Sequence, residues 1–188
     1  MEIHVTDDRI GRYFRRRQLG LRLLSHDAPA KTIRRWSGLT RDQLLTLRRR
    51  WAIPARDRSS GRPPSSFGVF FTSARKRGQA ALFAALCQAK GVISAQRGKD
   101  TADGLPSVES GERLCEAYEL FKVWAPNATL DFAKAELLLI GVAEENAIEL
   151  THCEECNSAL LIDRLGKSRS KCAYCKKQAN VARPAKHR

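Results

Sequence analysis

The chain has 188 residues, 43% of them hydrophobic, enough for one core and a small appendage but too few for three ordinary domains. No apolar run approaches the roughly 20 residues that a membrane-crossing helix needs, so a helical span is excluded. The formal net charge of +14 is unevenly placed: residues 1–58 carry 15 basic and 6 acidic side chains, residues 59–150 carry 10 and 11, and residues 151–188 carry 9 and 3. A polyanion is therefore expected to meet the two ends, with the near-neutral middle forming core or protein interface.

Residues 1–8 are acidic, with neither a basic n-region nor an apolar h-region, so no secretory signal is read and a cytoplasmic location is expected. Residues 8–24 pattern as a helix started by Asp7 or Asp8, with Ile10, Phe14, Leu21 and Leu24 near one face. Arg15, Arg16 and Arg17 then face solvent or phosphate. Residues 30–51 break at Ser37-Gly38-Leu39-Thr40 into two amphipathic pieces. Gly38 supplies the positive φ of the turn, and Thr40 stands where a helix N-cap belongs. Ile33 and Trp36 form an apolar stripe before the turn; Leu44, Leu47 and Trp51 form another after it. This is a helix-turn-helix-like pair. In that motif the start of the second helix faces base edges, so Arg41, Gln43 and Thr46 are candidate readers. Arg48, Arg49 and Arg50 are placed for contacts to the DNA backbone. Arg34, four residues before the turn glycine, stands where such motifs usually carry a small residue, and looser packing of the pair is expected.

Residues 55–66, rich in Pro, Ser, Gly and Arg, read as a loop, because Pro63-Pro64 cannot continue a helix. Phe67–Phe71 is a short apolar segment, Ala74–Lys90 a helix and Gln96–Ser107 a polar connection. Helices follow over Glu109–Trp124 and Leu130–Glu145, divided by Pro126-Asn127. Leu137-Leu138-Leu139-Ile140 marks the second of them as buried. Cys87 and Cys115 stand alone in apolar surroundings and read as buried spectators.

Cys153-Glu154-Glu155-Cys156 and Cys172-Ala173-Tyr174-Cys175 are two C-x2-C pairs separated by residues 157–171. A C-x2-C turn aims two thiolates at one point and offers them backbone N–H groups, so two such turns complete a tetrahedron. Asn157–Asp163 reads as a short strand, Leu165–Ser168 as a turn and Ser170–Ala173 as the returning strand. Two disulfides would use the same four cysteines, but a non-secreted chain in a reducing compartment favours one structural zinc ion. His152 could compete as a ligand. A closed four-sulfur shell leaves no position for water or substrate, and the ion supplies order that a segment this short cannot build from a core.

The expected fold is mainly α: a helical bundle over residues 1–150 containing the helix-turn-helix-like segment 30–51, then a small zinc-ribbon-like module over 151–180 and a basic tail over 181–188. Lys167, Arg169, Lys171, Lys176 and Lys177 give the module its own candidate DNA contacts.

Three blocks carry a resemblance: Ser37–Arg41 with Leu44, Leu45 and Leu47, followed by Gly61-Arg62-Pro63-Pro64; the helix 130–145 leading through Ile148-Glu149-Leu150 into the cysteines; and the cysteine quartet. Together they resemble the FlhC family, one component of the bacterial flagellar master transcriptional activator, over roughly residues 10–180. The resemblance implies a mostly helical protein with Cys153, Cys156, Cys172 and Cys175 as zinc ligands. It also implies binding to double-stranded promoter DNA in a hetero-oligomer with an FlhD-type partner, activating flagellar genes. The chain departs from the family over Phe67–Arg75, which lacks a tryptophan-bearing segment, and is identified as a divergent member.

The alternative function is a zinc-stabilised interaction adaptor whose charge serves solubility. RNA binding would need exposed aromatics for stacking, and Tyr13, Trp36, Trp51 and Tyr174 mostly occupy core-like positions. An enzyme is not expected: the histidines at 4, 26, 152 and 187 fall in no catalytic pairing, and no phosphate-cradling glycine loop is present.

Overall fold

The computed structural model describes residues 5–51, 65–93, 107–143, 147–166 and 170–176, with side chains from Arg9 onward. Its elements are α1 (Val5–Ser25), α2 (Ala30–Ser37), α3 (Arg41–Arg50), a 3-10 turn (Phe67–Phe70), α4 (Ala74–Ala89), α5 (Val108–Trp124), α6 (Phe132–Ala143), β1 (Ile148–His152) and β2 (Ala159–Asp163). The protein is thus mainly helical with a small two-stranded sheet. The expected loop 55–66 lies almost wholly outside the described residues, as do most of the connection 96–107, residues 144–146, and everything after residue 176.

Hydroxyl caps start several helices. The side chains of Thr40, Ser73 and Ser107 accept from the N–H groups of Gln43, Lys76 and Ser110, each satisfying a donor that the first helical turn cannot. Gln43 completes a capping box by accepting the Thr40 N–H at 2.9 Å.

The core is centred on α4 and α5. Phe83, Phe121 and Phe132 are fully buried, and Tyr118 meets Phe132 edge-on with ring centroids 4.9 Å apart. α1 and α2 lie against α5, α6 against α4, and the β hairpin against α4 and α6. Ile148 of β1 and Leu161 of β2 belong to the same hydrophobic cluster as these helices. Hairpin and helices therefore share apolar burial across the expected boundary at residue 150. Polar ties cross the bundle as well. Arg22 grips both Glu119 oxygens at 2.7 and 2.6 Å, and His26 Nε2 lies 2.9 Å from the same carboxylate. Glu136 of α6 accepts from Thr32 Oγ1 at 2.5 Å and from Trp36 Nε1 at 3.0 Å, fixing α2 to α6.

α2 ends at Gly38 with φ +66, and the Gly38 N–H donates to the Arg34 carbonyl. This left-handed conformation suits glycine, as the sequence requires. Arg34 itself is exposed and does not enter the packing between α2 and α3. Close approach of α1 is made at Gly20, where a Cβ would stand 2.6 Å from Leu39 Cδ1.

Three expectations are corrected. Trp51 does not extend the apolar stripe of α3: that helix stops at Arg50, and Trp51 is 61% exposed while Leu44 and Leu47 are buried. On α1 the expected face is covered only at its rear, where Leu24 is buried with Leu19 and Leu23 and Leu21 packs against the core, whereas Ile10 and Phe14 are 51% and 57% exposed. The front half of α1 is tied to α5 through Arg15 and Glu112, 2.5 Å apart, while its large apolar side chains stay in solvent. Finally, Ser170–Ala173 is not a strand; residues 173–176 form a helical turn, and the strand pairing with β2 is β1.

Candidate metal centre

The first cysteine pair sits in the connection of the β hairpin. β1 and β2 pair antiparallel with Leu150 opposite Leu161 and His152 opposite Ala159, which leaves residues 153–158 to turn the chain. The Cys153 N–H donates to the Ser158 carbonyl and the Asn157 N–H to the Cys153 carbonyl, both at 2.9 Å. Asn157 takes φ +54, a left-handed conformation that asparagine tolerates better than most residues. At the other end, Asp163 accepts the Leu165 N–H at 3.0 Å through its side chain, closing the return.

The second pair is brought across by backbone and charge. Glu154 donates its N–H to the Ser170 carbonyl at 3.1 Å, and the Lys171 ammonium pairs with the Glu155 carboxylate. Their hydrogen bond raises the Lys171 pKa and lowers that of Glu155. The Lys176 N–H then donates to the Cys172 carbonyl at 3.1 Å, closing the helical turn that presents Cys175.

The four Sγ atoms of Cys153, Cys156, Cys172 and Cys175 all lie within 4.8 Å of one another, with Cys156 and Cys172 3.6 Å apart. All four are free thiols, without a disulfide. A tetrahedral thiolate site with bonds of about 2.3 Å has sulfur–sulfur edges of about 3.8 Å, so the four sulfurs are close enough to converge on a single ion. Backbone donors support it. The Cys172 N–H points to Cys153 Sγ at 3.3 Å and the Cys175 N–H to Cys172 Sγ at 3.5 Å. These amides act on the thiol acidities: the Cys172 N–H, followed by that of Cys156, brings the Cys153 thiol down to about 6, and the Cys175 N–H lowers Cys172. Burial, followed by hydrogen bonding with the neighbouring thiols, pushes Cys175 up. These amides thus ease deprotonation of Cys153 and Cys172, and a bound cation would displace the protons that remain. Cys153 and Cys175 are buried and Cys156 is exposed, which gives the cluster one open flank. His152 is exposed on β1 and lies outside the quartet.

Sequence spacing identified all four sulfurs. It did not identify Ser158, whose Oγ lies 3.1 Å from Cys156 Sγ, or the Glu155–Lys171 tie, since neither follows from the C-x2-C pattern.

The candidate DNA contacts fall in two places. On α3, Arg41, Gln43, Thr46, Arg49 and Arg50 are exposed and Arg48 is half-buried. Near the cysteines, Lys171 is engaged by Glu155 and Lys176 is half-buried, while Lys167, Arg169 and Lys177 lie outside the described residues. The principal contacts of α3 are with α1 and α2, whereas those of the hairpin are with α4 and α6. Cys87 and Cys115 are buried as expected, and desolvation raises both thiols, Cys115 to about 12.

Fold and site together define a mainly helical protein with a short β hairpin and a four-cysteine cluster able to hold a metal ion. No protein-family model matches the chain, and no curated protein matches it either. Among the described residues, no helix is long and apolar enough to cross a membrane.

Proposed function

We propose that the chain is a DNA-binding transcription regulator of the FlhC type that holds one structural zinc ion and acts with an FlhD-type partner on promoter DNA. The observation that carries this reading is α3: a capped helix hinged at Gly38, with exposed Arg41, Gln43 and Thr46 at its start and Arg49 and Arg50 at its end. This exposure pattern supports reading α3 as a recognition helix, with readers at the N-terminal end and cations flanking them. The Gln43 Oε1 is engaged by the cap, which leaves its amide N–H2 group as the reading end. Zinc is the ion of choice because the donors are four cysteine sulfurs gathered within 4.8 Å of one another, and a full sulfur shell makes its role structural.

The test is a duplex titration at two salt concentrations, with and without the FlhD-type partner. Each phosphate neutralised steepens the log–log salt slope by about 0.9. Arg49→Ala weakens all duplexes alike and reduces that slope, whereas Arg41→Ala erodes preference among sequences. Salt-independent binding, or equal effects of both substitutions on every duplex, would remove the assignment. An adaptor without direct DNA reading is the second interpretation. The exposure of Ile10 and Phe14 on α1 favours it, and it requires that no duplex be preferred even with the partner present.

A further inference from the structure

α1 carries two apolar faces; the fold covers one, and of the other only the rear end, where Leu21 packs against the core and Leu24 is buried. At 100° per residue, Ile10, Phe14 and Leu21 fall within about 40° of one line, and Leu19 and Leu23 fall on the opposite side. Leu19 and Leu23 are buried in the bundle. The other line starts in solvent: from Arg9 to Gln18 every residue except Arg17 is exposed, and Tyr13 joins Ile10 and Phe14 among the exposed large side chains. Arg17 lies against Tyr13, with its guanidinium 5.4 Å from the ring centre and a 2.8 Å bond to the hydroxyl, which holds that ring beside the stripe. The stripe is thus formed on a helix anchored at its far end, and its front part, Ile10 to Phe14, stays exposed among the described residues.

We infer that the front half of α1 is a docking surface for an acidic, amphipathic helix of a partner protein. Ile10, Tyr13 and Phe14 serve as apolar anchors and the surrounding positive charge draws the partner's carboxylates, with Arg15 already paired to Glu112 of α5 at 2.5 Å. The anchors stand at i, i+3 and i+4, the spacing read in helix-to-groove contacts. Charge selects the partner. Residues 9–18 contain five arginines and no acidic residue, so a second copy of this chain would set arginine against arginine across the same face. Duplex DNA would meet the arginines but leave Ile10 and Phe14 in water. A lipid surface would take the same charge, but three apolar side chains offer little area for lasting attachment. The inference deepens the proposed hetero-oligomer by locating the surface on which the partner sits.

The test uses the full chain and its Ile10→Gln/Phe14→Gln double variant, which removes the apolar anchors without changing charge, both positions being exposed enough that folding and Tm should be unchanged. The probe is a 21-residue helical peptide of three heptads, with leucine at the two core positions and glutamate beside them. Titrations follow its fluorescence anisotropy. A Kd on the order of 10 μM at low salt is expected, at least tenfold weaker in the double variant and weaker again at high salt. Duplex affinity should be the same for both proteins. The inference is overturned if the peptide does not saturate by about 1 mM, or if the double variant binds it equally well. It is also overturned if the substitutions impair duplex or phosphatidylglycerol-vesicle binding instead, or if they merely convert a dimer of the chain alone to monomer. Peptide binding without any duplex binding would sink the DNA-reading proposal and leave this one standing.

Discussion

Glu136 offers a quantitative test of how the helix pair is held. Its carboxylate accepts from Thr32 Oγ1 and Trp36 Nε1, and both donor residues are buried, Trp36 to 1% exposure. Glu136→Ala strands two donors at about 1–3 kcal/mol each. Water can reach the half-buried carboxylate position and recover part of that loss, so a destabilisation of about 2–4 kcal/mol is expected. Glu136→Gln keeps a carbonyl for the indole and lets the threonine hydroxyl rotate to accept from the new amide, so it should cost under about 1 kcal/mol. Tryptophan fluorescence during urea unfolding is a suitable readout, because Trp36 is buried whereas Trp51 and Trp124 are 61% and 64% exposed. Most of the emission change should therefore come from the ring that Glu136 holds. An alanine variant within about 0.5 kcal/mol of the parent, or a glutamine variant as damaged as alanine, would refute the argument that the two bonds fix α2 to α6.

Other outcomes follow from the same geometry. A strong chelator at neutral pH should release one equivalent of metal and make four thiols reactive toward a disulfide reagent, while Cys87 and Cys115 react only after unfolding because burial keeps them protonated. Gly38→Ala forces a Cβ into a φ of +66 and should lower stability by about 1–2 kcal/mol, measured by denaturant midpoint at constant m. Glu119 is held below its ordinary value of 4.5, chiefly by its hydrogen bonds from Arg22 and then by His26. A depressed carboxylate contributes fully above that ordinary value and loses its contribution as pH falls through the folded one, so the parent should lose stability on acidification. Glu119→Gln should be less stable at pH 7 and show a flatter acid limb in thermal melts.

The cysteines were legible because metal ligation imposes a strict local spacing, and Gly38 and Thr40 because a left-handed turn and a helix start each demand particular residue types. The partner of β2 was not. Folding the spacer back between the two cysteine pairs suggested Ser170–Ala173, but Leu161 needs burial on α4, and the residues beside it that arrive directly from α6 are Ile148–His152. Apolar periodicity on α1 likewise located a genuine stripe without revealing that the chain would cover its rear, at Leu21 and Leu24, and leave Ile10 and Phe14 exposed. Periodicity is a property of one helix, whereas burial depends on where its neighbours end. Trp51 illustrates the same limit: α3 stops one residue short of it, and its ring is left outside.

The placement of Ile148 and Leu161 in the helical core gives metal occupancy a long reach. Ion capture at the hairpin tip and side-chain packing beneath it belong to one linked equilibrium, so whatever tightens one tightens the other by the same free energy. A substitution in α4, far from any sulfur, should therefore alter how tightly the ion is held. Conversely, scarcity of that ion would be felt as softening of helices that never touch it.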